Sequence, residues 1–263
     1  MEAVSPQSLE EALRLKADHH DAVPIDGGTD LMVELNFDRR RPELLLDLNR
    51  VGELDGWSAE NGTVRLGASL TYTQAMEPAL AARLPALAEA ARTVGSPQIR
   101  NRGTIGGNLG TASPAGDALP PLLVAGARVE LASADGTRSL GLEEFLVGPK
   151  RNALAPGELI TGVTVDAREL PQTFMKVGPR NAMVIAVCSL ALAVDAERDE
   201  IRAAFGSAGP VPALVRAPLA EAAGFPELVA ATASPIDDVR GSAPYRRHAL
   251  AVLTRRALER CGL

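Results

Sequence analysis

The chain has 263 residues, with 27 Lys and Arg against 33 Asp and Glu, so its net charge is -6. This acidic balance, with an aromatic fraction of 3%, argues against nucleic acid as a partner, because phosphate binding needs clustered cations and base stacking needs aromatic rings. A hydrophobic fraction of 46% allows a sizeable core, and since no run of about 18 apolar residues occurs, we expect no membrane span and a cytoplasmic protein.

The first two thirds of the chain predict short strands that alternate with helices and turns. Ser8 begins a helical pattern in which Glu11 is placed as the capping-box partner. Asn61-Gly62 between two short alternating runs is a strong hairpin signal, and Asp135-Gly136 is a second one. In chain order we also predict strands over 22–25, 44–48 and 159–165, and helices over 79–94 and 117–125.

The last third is richer in predicted strands. We predict strands over 173–177, 183–194 and 201–207, a helix near 217–223 and a long helix over 244–260. A domain boundary is expected near Leu170-Pro171. The predicted class is α+β, with short strands that are mostly linked by hairpins.

The cysteines and histidines predict no metal or cluster site. Cys188 and Cys261 are far apart and cannot by themselves ligate an iron–sulfur cluster, which usually needs four ligands. His19, His20 and His248 make no metal-ligand spacing. Any redox chemistry must therefore come from a bound organic cofactor.

Two glycine clusters carry most of the functional information. The first covers 24–31 and follows a predicted strand, and the second covers 103–110, with Ser113 and Asp117 after it. A diphosphate can be surrounded by backbone N–H groups only where side chains do not block the approach, and a helix N-terminus adds further donors. Both clusters therefore predict phosphate binding, with Ser113 and Asp117 placed for polar contacts such as a ribose hydroxyl.

Each cluster alone also has a purely structural interpretation. Gly-Gly pairs often mark tight turns, and Asp30 could simply cap a helix. Neither cluster matches Gly-x-Gly-x-x-Gly or the pattern ending in Gly-Lys-Ser/Thr. The sequence therefore supports neither a dinucleotide-binding Rossmann fold nor a P-loop NTPase.

Taken together, the clusters resemble the FAD-binding subunit of molybdenum hydroxylases, the xanthine dehydrogenase and carbon monoxide dehydrogenase family. In that family a strand leads into a Gly-Gly-Thr/Asn-Asp/Glu-Leu loop. A Thr/Ser-Ile/Val-Gly-Gly-Asn loop follows, then Ala-Ser-Pro and an Asp. Segments 25–31, 104–108 and 112–117 fit that order. Further similar segments lie at 67–71, 148–150, 157–160, 174–186 and 238–248, so the resemblance spans nearly the whole chain.

The resemblance implies a two-lobed FAD-binding fold of the vanillyl-alcohol-oxidase type, with a C-terminal α+β domain. The FAD-binding domain would cover 1–170, with lobes at roughly 1–53 and 54–170, and the C-terminal domain would cover 171–263. FAD would lie extended between the lobes.

The resemblance also implies the residues that bind FAD, and it assigns no catalytic residue and no metal ligand. One side of the diphosphate would be held by Gly27, Gly28, Thr29, Asp30 and Leu31, and Ile25 and Asp26 just before them are also assigned to the cofactor site. The other side would be held by Thr104, Ile105, Gly106, Gly107 and Asn108. Asp117 would contact the adenosine half, and Ile160 and Lys176 would lie near the isoalloxazine ring, where a cation raises the reduction potential.

Two departures from the family pattern matter. Asp26 stands where the family usually has a small or apolar residue, which puts a carboxyl beside the diphosphate loop. Some relatives carry a cysteine-rich insertion for an extra iron–sulfur cluster, and two distant cysteines cannot supply one.

The function implied is electron transfer from iron–sulfur clusters on a small subunit to an acceptor such as NAD, quinone or oxygen. A molybdenum-cofactor large subunit would carry out the hydroxylation. The alternatives are a self-contained flavin oxidase or reductase and a non-enzymatic nucleotide-binding protein. The substrate, the terminal acceptor and the subunit stoichiometry are left open. For the partner contact we expect a basic C-terminal face made of Arg240, Arg246, Arg247, Arg255, Arg256 and Arg260.

Overall fold

The computed structural model describes residues 1–166 and 168–263 and confirms the α+β class. The strands are β1 (Glu2–Val4), β2 (Val23–Ile25), β3 (Leu44–Asp47), β4 (Trp57–Glu60), β5 (Thr63–Gly67), β6 (Arg128–Ser133), β7 (Gly136–Gly141), β8 (Leu146–Gly148), β9 (Arg151–Asn152), β10 (Leu159–Asp166), β11 (Gln172–Val177), β12 (Cys188–Asp195), β13 (Glu200–Gly206) and β14 (Ala213–Ala217).

The helices are mostly short. They are α1 (Leu9–Asp18), α2 (Leu31–Asn36), α3 (Tyr72–Ala75), α4 (Pro78–Ala81), α5 (Pro85–Thr93), α6 (Pro97–Arg100), α7 (Ile105–Thr111), α8 (Leu119–Val124), α9 (Leu142–Phe145), α10 (Phe225–Thr232) and α11 (Ala243–Arg260), with 3₁₀ turns at Gly52–Leu54 and Leu219–Gly224. Among the described residues, no helix is long and apolar enough to cross a membrane.

The first sheet is parallel, with strand order β1-β3-β2. The expectation that hairpins link most strands is wrong for this sheet. The chain passes through α2 between the paired strands β2 and β3, and a parallel pair needs such a crossover. The loop after β2 leads into α2, so the first glycine cluster lies at the end of a parallel strand.

The second sheet is antiparallel, with order β4-β5-β10-β6-β7, and it confirms the hairpin at Asn61-Gly62. Asn61 has φ 51° and Gly62 has φ 76°, and two successive left-handed residues are what a two-residue type I′ turn requires. The third sheet, β11-β12-β13-β14, is an antiparallel meander with α11 packed on it.

Strand β12 lies between two apolar cores. Ala191 and Ala193 belong to the core shared with the N-terminal sheets, whereas Leu190 and Leu192 belong to the core under α11. Alternate side chains of a strand point to opposite faces, so one strand supplies both cores. The third sheet is thereby packed directly against the part of the molecule that carries the glycine clusters. The domain boundary near 170 stays a prediction, and β10 and β11 lie on either side of it.

Several predicted elements differ from the structure. The helix over 79–94 is two helices, α4 and α5, because Pro85 starts a new helix and its ring cannot continue the previous one. The strand over 183–194 begins only at Cys188, since Met183 has a left-handed backbone with φ 53°. The helix near 217–223 is a 3₁₀ turn, after which α10 follows unpredicted.

The prediction of a basic C-terminal face is wrong in part. Arg246 is 2% exposed and cannot contribute to a surface. Arg255 pairs with Glu227 over 2.6 Å, which leaves the outer side of α11 less basic than the sequence suggests.

Candidate cofactor site

The two glycine clusters line one cavity of about 690 Å³. This volume lies within the range of about 300–1,000 Å³ that is common for small-molecule sites. The sequence-predicted residues on its wall are Ile25, Asp26, Gly27, Gly28, Thr29, Asp30, Leu31, Thr104, Gly106, Gly107, Asn108, Asp117 and Ile160. Ile105 and Lys176 are not on the wall, since the Ile105 side chain is fully buried in the core.

The clusters touch each other through Arg102. A Cβ at Gly27 would lie 1.8 Å from the Arg102 carbonyl oxygen, so only glycine allows the loops to meet there. The Arg102 guanidinium donates to the Asp26 carbonyl oxygen over 3.0 Å and to Asn49 Oδ1 over 2.7 Å. The loop after β2 is thus held against the turn before α7.

The first loop leaves its backbone donors available. Within residues 1–166 and 168–263, the amides of Gly27, Gly28, Thr29 and Asp30 donate to no acceptor. Asp30 precedes α2, but its side chain makes no capping hydrogen bond. Asp30 therefore occupies the N-cap position of α2 without the side-chain capping hydrogen bond, and consecutive N–H groups remain for an anionic ligand.

The start of α7 is arranged differently. The Ile105 amide donates to the Leu70 carbonyl oxygen over 2.9 Å, and the Gly106 amide to that of Ala68 over 2.7 Å. The Gly107 amide donates to Thr104 Oγ1 over 3.0 Å. The expectation of free N–H donors at this helix start is wrong for these residues, because the β5–α3 segment accepts two of the amides and the Thr104 side chain accepts the third.

Glycines in α7 instead form an open floor. Gly107 and Gly110 are both exposed. A Cβ at Gly107 would meet only Thr104 Oγ1, at 3.0 Å, and one at Gly110 would meet only Ile160 Cδ1, at 3.8 Å. Side chains at these positions would extend into the cavity, so glycine keeps the space open for a ligand.

Two oxygens at the cavity wall are buried without a partner. Asn108 Oδ1 and Asp117 Oδ1 each have no hydrogen bond among the described residues. Leaving such atoms unpaired costs about 1–3 kcal/mol each. A ligand with hydrogen-bond donors would satisfy them, which fits a polar cofactor.

Asp117 forms a buried ion pair with Lys176. Lys176 Nζ lies 2.6 Å from Asp117 Oδ2 and also donates to the Thr93 carbonyl oxygen over 3.2 Å. Burial raises the pKa of the Asp117 carboxyl to about 6, and Lys176 only partly offsets this. The adenosine assignment of Asp117 and the ring assignment of Lys176 cannot both hold for an extended FAD, because the two side chains are in contact.

Tyr72 is a cavity residue that the sequence did not identify. It follows the Gly67–Thr71 segment, its amide donates to the Gly103 carbonyl oxygen over 3.0 Å, and its ring is buried at the cavity wall. Burial raises the pKa of its hydroxyl above the usual value, and Asp117 and Asp30 add to this. A lone tyrosine gives no sequence signal, but its position directly after the family-like segment 67–71 was a clue.

The sequence also did not predict that the cavity has an apolar edge. It consists of Val94, Met183, Val184 and Ile185. The sequence assigned 183–185 to a strand, whereas these residues lie in the loop that links β11 to β12. Another edge is charged, with Glu34 between Arg40 and Lys150 at 3.9 Å and 3.5 Å.

The environment of Asp26 reduces the conflict with a diphosphate. Burial raises the pKa of the Asp26 carboxyl, although the Ser69 hydroxyl and the Arg102 guanidinium act in the opposite direction. A raised pKa lowers the cost of keeping this group neutral beside an anion, and Arg102 supplies a nearby positive charge.

Known proteins resemble this chain over most of its length. Residues 1–166 match the family described as the FAD binding domain in molybdopterin dehydrogenase. The nicotinate dehydrogenase FAD-subunit of Eubacterium barkeri is 39% identical over 201 residues, which cover 73% of this chain and 68% of that protein. The xanthine dehydrogenase FAD-binding subunit of Escherichia coli O157:H7 is 30% identical over 269 residues, which cover 95% and 92%.

A solved structure extends the similarity to the fold. A chain of carbon monoxide dehydrogenase from Hydrogenophaga pseudoflava superposes with a TM-score of 0.91 at 27% identity. The match covers 99% of this chain and 96% of that chain, so it includes the third sheet and α11.

Proposed function

The chain belongs to the FAD-binding family of the molybdopterin dehydrogenases, and from that membership we propose that it is the FAD-binding, electron-transferring subunit of a molybdenum hydroxylase. The observation that carries this proposal is the cavity, where unpaired loop amides face a floor kept open by Gly107 and Gly110.

The residues on the cavity wall fit FAD. The amides of Gly27, Gly28, Thr29 and Asp30 would hold the diphosphate, and Asn108 Oδ1 would accept a hydrogen bond from the cofactor. Bound FAD would supply a redox-active ring that takes up and releases electrons. The protein's own contribution is to bind that ring, orient it and exclude water from it.

We place Asp117 and Lys176 together beside the isoalloxazine ring. The apolar edge suits the ring's faces, and the unpaired Asp117 Oδ1 suits its polar edge. Lys176 would act through Asp117, because it contacts that carboxyl but is not itself on the cavity wall.

In the Lys176→Met variant the reduction potential of bound FAD should fall if Asp117 stays ionised. An unchanged potential in a redox titration would show that Asp117 has taken up a proton, or that the pair lies away from the ring.

The proposed partners are a molybdenum-cofactor large subunit and an iron–sulfur small subunit. The sequence holds only Cys188 and Cys261, both buried, and no group of three or more metal-binding side chains occurs among the described residues. Electrons would therefore reach the flavin across a subunit interface. NAD, quinone and oxygen remain the candidate acceptors, and the cytoplasmic location stays a prediction.

The direct test is the visible spectrum of the purified full-length chain, followed by denaturing extraction to distinguish FAD from FMN. We expect one noncovalently bound FAD per chain. A colourless chain that takes up no added FAD would contradict the proposal and favour the non-enzymatic nucleotide-binding alternative.

A second test separates the proposal from a self-contained oxidase. The flavin-loaded chain should show no turnover with organic substrates, whereas reduced iron–sulfur subunit should reduce its FAD. Turnover of an organic substrate by the isolated chain would favour the oxidase.

A further inference from the structure

Arg246 is a buried cation near the start of α11. Its side chain is 3% exposed, and a charge in such a place is costly unless it is paired and hydrogen-bonded. The guanidinium donates to the carbonyl oxygens of Val187, over 2.9 Å, and Ser207, and it pairs with Asp238 at 2.5 Å. Its Nε reaches the Gly241 carbonyl oxygen at 3.4 Å. The arginine therefore binds backbone oxygens from segments that are far apart in sequence.

The first of these segments forms the apolar edge of the cavity. The Val187 amide donates to the Val177 carbonyl oxygen over 2.8 Å, which closes the loop of 178–187 at its base. Met183, Val184 and Ile185 of this loop line the cavity. Arg246 holds the same Val187 residue by its carbonyl oxygen, so the base of the loop is bound from both sides.

The second segment, at Ser207, supports the part of the cavity wall that carries Asp117. Ser207 has a left-handed backbone with φ 58°, and its amide donates to the Pro114 carbonyl oxygen over 2.7 Å. Pro114 leads directly into Ala115 and Asp117 on the cavity wall. The Ser207 carbonyl oxygen that Arg246 binds thus belongs to the residue that holds the 114–117 segment.

We propose that Arg246 is a positioning residue for the cofactor site. It holds Val187 and Ser207 at a fixed separation and so sets the gap between the 178–187 loop and the 114–117 segment. The inference rests on the proposed function, and it extends the site to α11, which lies outside the residues 1–166 of the family match. An arginine suits this role because its planar fork bonds several acceptors at once, whereas lysine donates from a single point.

Titrations of the full-length chain with FAD and with ADP test the inference, because ADP has the diphosphate but no isoalloxazine ring. The variants are Arg246→Met, which keeps the side-chain length without donors, and Arg246→Lys. The matched control is Arg256→Met, an exposed arginine on the same helix. For Arg246→Met we expect the Kd for FAD to rise about tenfold, which corresponds to about 1.4 kcal/mol, roughly the worth of one hydrogen bond.

The Kd for ADP should stay near the wild-type value in Arg246→Met, since Arg246 contacts neither glycine loop. Arg246→Lys should bind FAD with intermediate affinity, and Arg256→Met should match the wild type. Equal weakening of FAD and ADP, or unchanged FAD binding, would overturn the inference. If Arg246→Met does not fold, the Lys variant decides, with weaker FAD binding in support and wild-type binding against. A wild-type chain that binds no FAD would overturn the proposed function itself, and this inference with it.

Discussion

Gly107 and Gly27 belong to one site, but a side chain at each would meet different surroundings. At Gly107 it would meet only the Thr104 hydroxyl and then the open cavity. We therefore expect Gly107→Val to fold and to lose FAD, because a branched side chain would occupy the space above the floor. The flavin content of the purified variant and its Tm without flavin are the measurements.

Variants at two other glycines serve as controls for Gly107→Val. Gly52 has nothing within 4 Å of its Cβ position, so Gly52→Val should keep both FAD and Tm. Gly27→Ala should lower the Tm even without flavin, because its Cβ would lie 1.8 Å from a backbone oxygen. Full flavin content in Gly107→Val would mean that the floor is not where the cofactor lies.

Asp117 should make the stability of the flavin-free chain depend on pH. Its pKa in the folded chain is raised from 3.8 to about 6, so the folded chain binds more protons than the unfolded chain between these values. The stability that Asp117 contributes is therefore full below pH 4 and is lost as the pH rises through 6. A shift of this size corresponds to about 2–3 kcal/mol.

Comparison with Asp117→Asn isolates this effect from the other carboxyls. The difference in free energy of unfolding, wild type minus variant, should fall between about pH 4 and 6 and stay flat on either side. Denaturant unfolding at several pH values gives this difference. A difference that rises with pH would show that Lys176 keeps Asp117 ionised in the folded chain, and a difference independent of pH would show that the pKa of Asp117 is not shifted by folding.

At the scale of elements, Arg102 joins the loop after β2 to the turn between α6 and α7. Replacing it with methionine removes the hydrogen bonds to the Asp26 carbonyl oxygen and to Asn49. We expect FAD to bind about tenfold more weakly, because the first glycine loop loses its hold on the second and must be ordered by the ligand. Fluorescence titration with FAD measures this.

The control for Arg102 is Arg92→Met, a change of the same kind at an exposed position on α5. It should leave the affinity for FAD unaltered. Equal affinities in the two variants would mean that the loops are held by the close packing at Gly27 alone.

At the scale of the whole molecule, we expect the chain to work within a larger assembly, with two copies each of three different subunits. Affinity purification from the native cell should recover one cysteine-rich small chain and one large chain with it. The match to a chain of carbon monoxide dehydrogenase over 99% of this chain shows that the two chains share a fold. Recovery of an active, flavin-loaded monomer without partners would contradict this prediction.

Local features of the chain were predictable because they depend on neighbouring residues. The Asn61-Gly62 hairpin follows from residues that adopt left-handed backbone angles, and the α+β class follows from alternating short patterns. The family and FAD were indicated by a resemblance that spans nearly the whole chain and includes the two glycine clusters in the family's order.

Tertiary contacts decided the chemistry of the individual site residues. Whether an amide is free depends on distant acceptors. The Gly106 amide, which the sequence predicted to be free for a ligand, donates to the Ala68 carbonyl oxygen. Asp117 and Lys176 are 59 residues apart, yet they form one ion pair. Arg246 belongs to a basic run in sequence but is buried in the fold. Sequence spacing sets which residues the chain can offer, whereas packing between remote segments sets which of their atoms remain for a ligand.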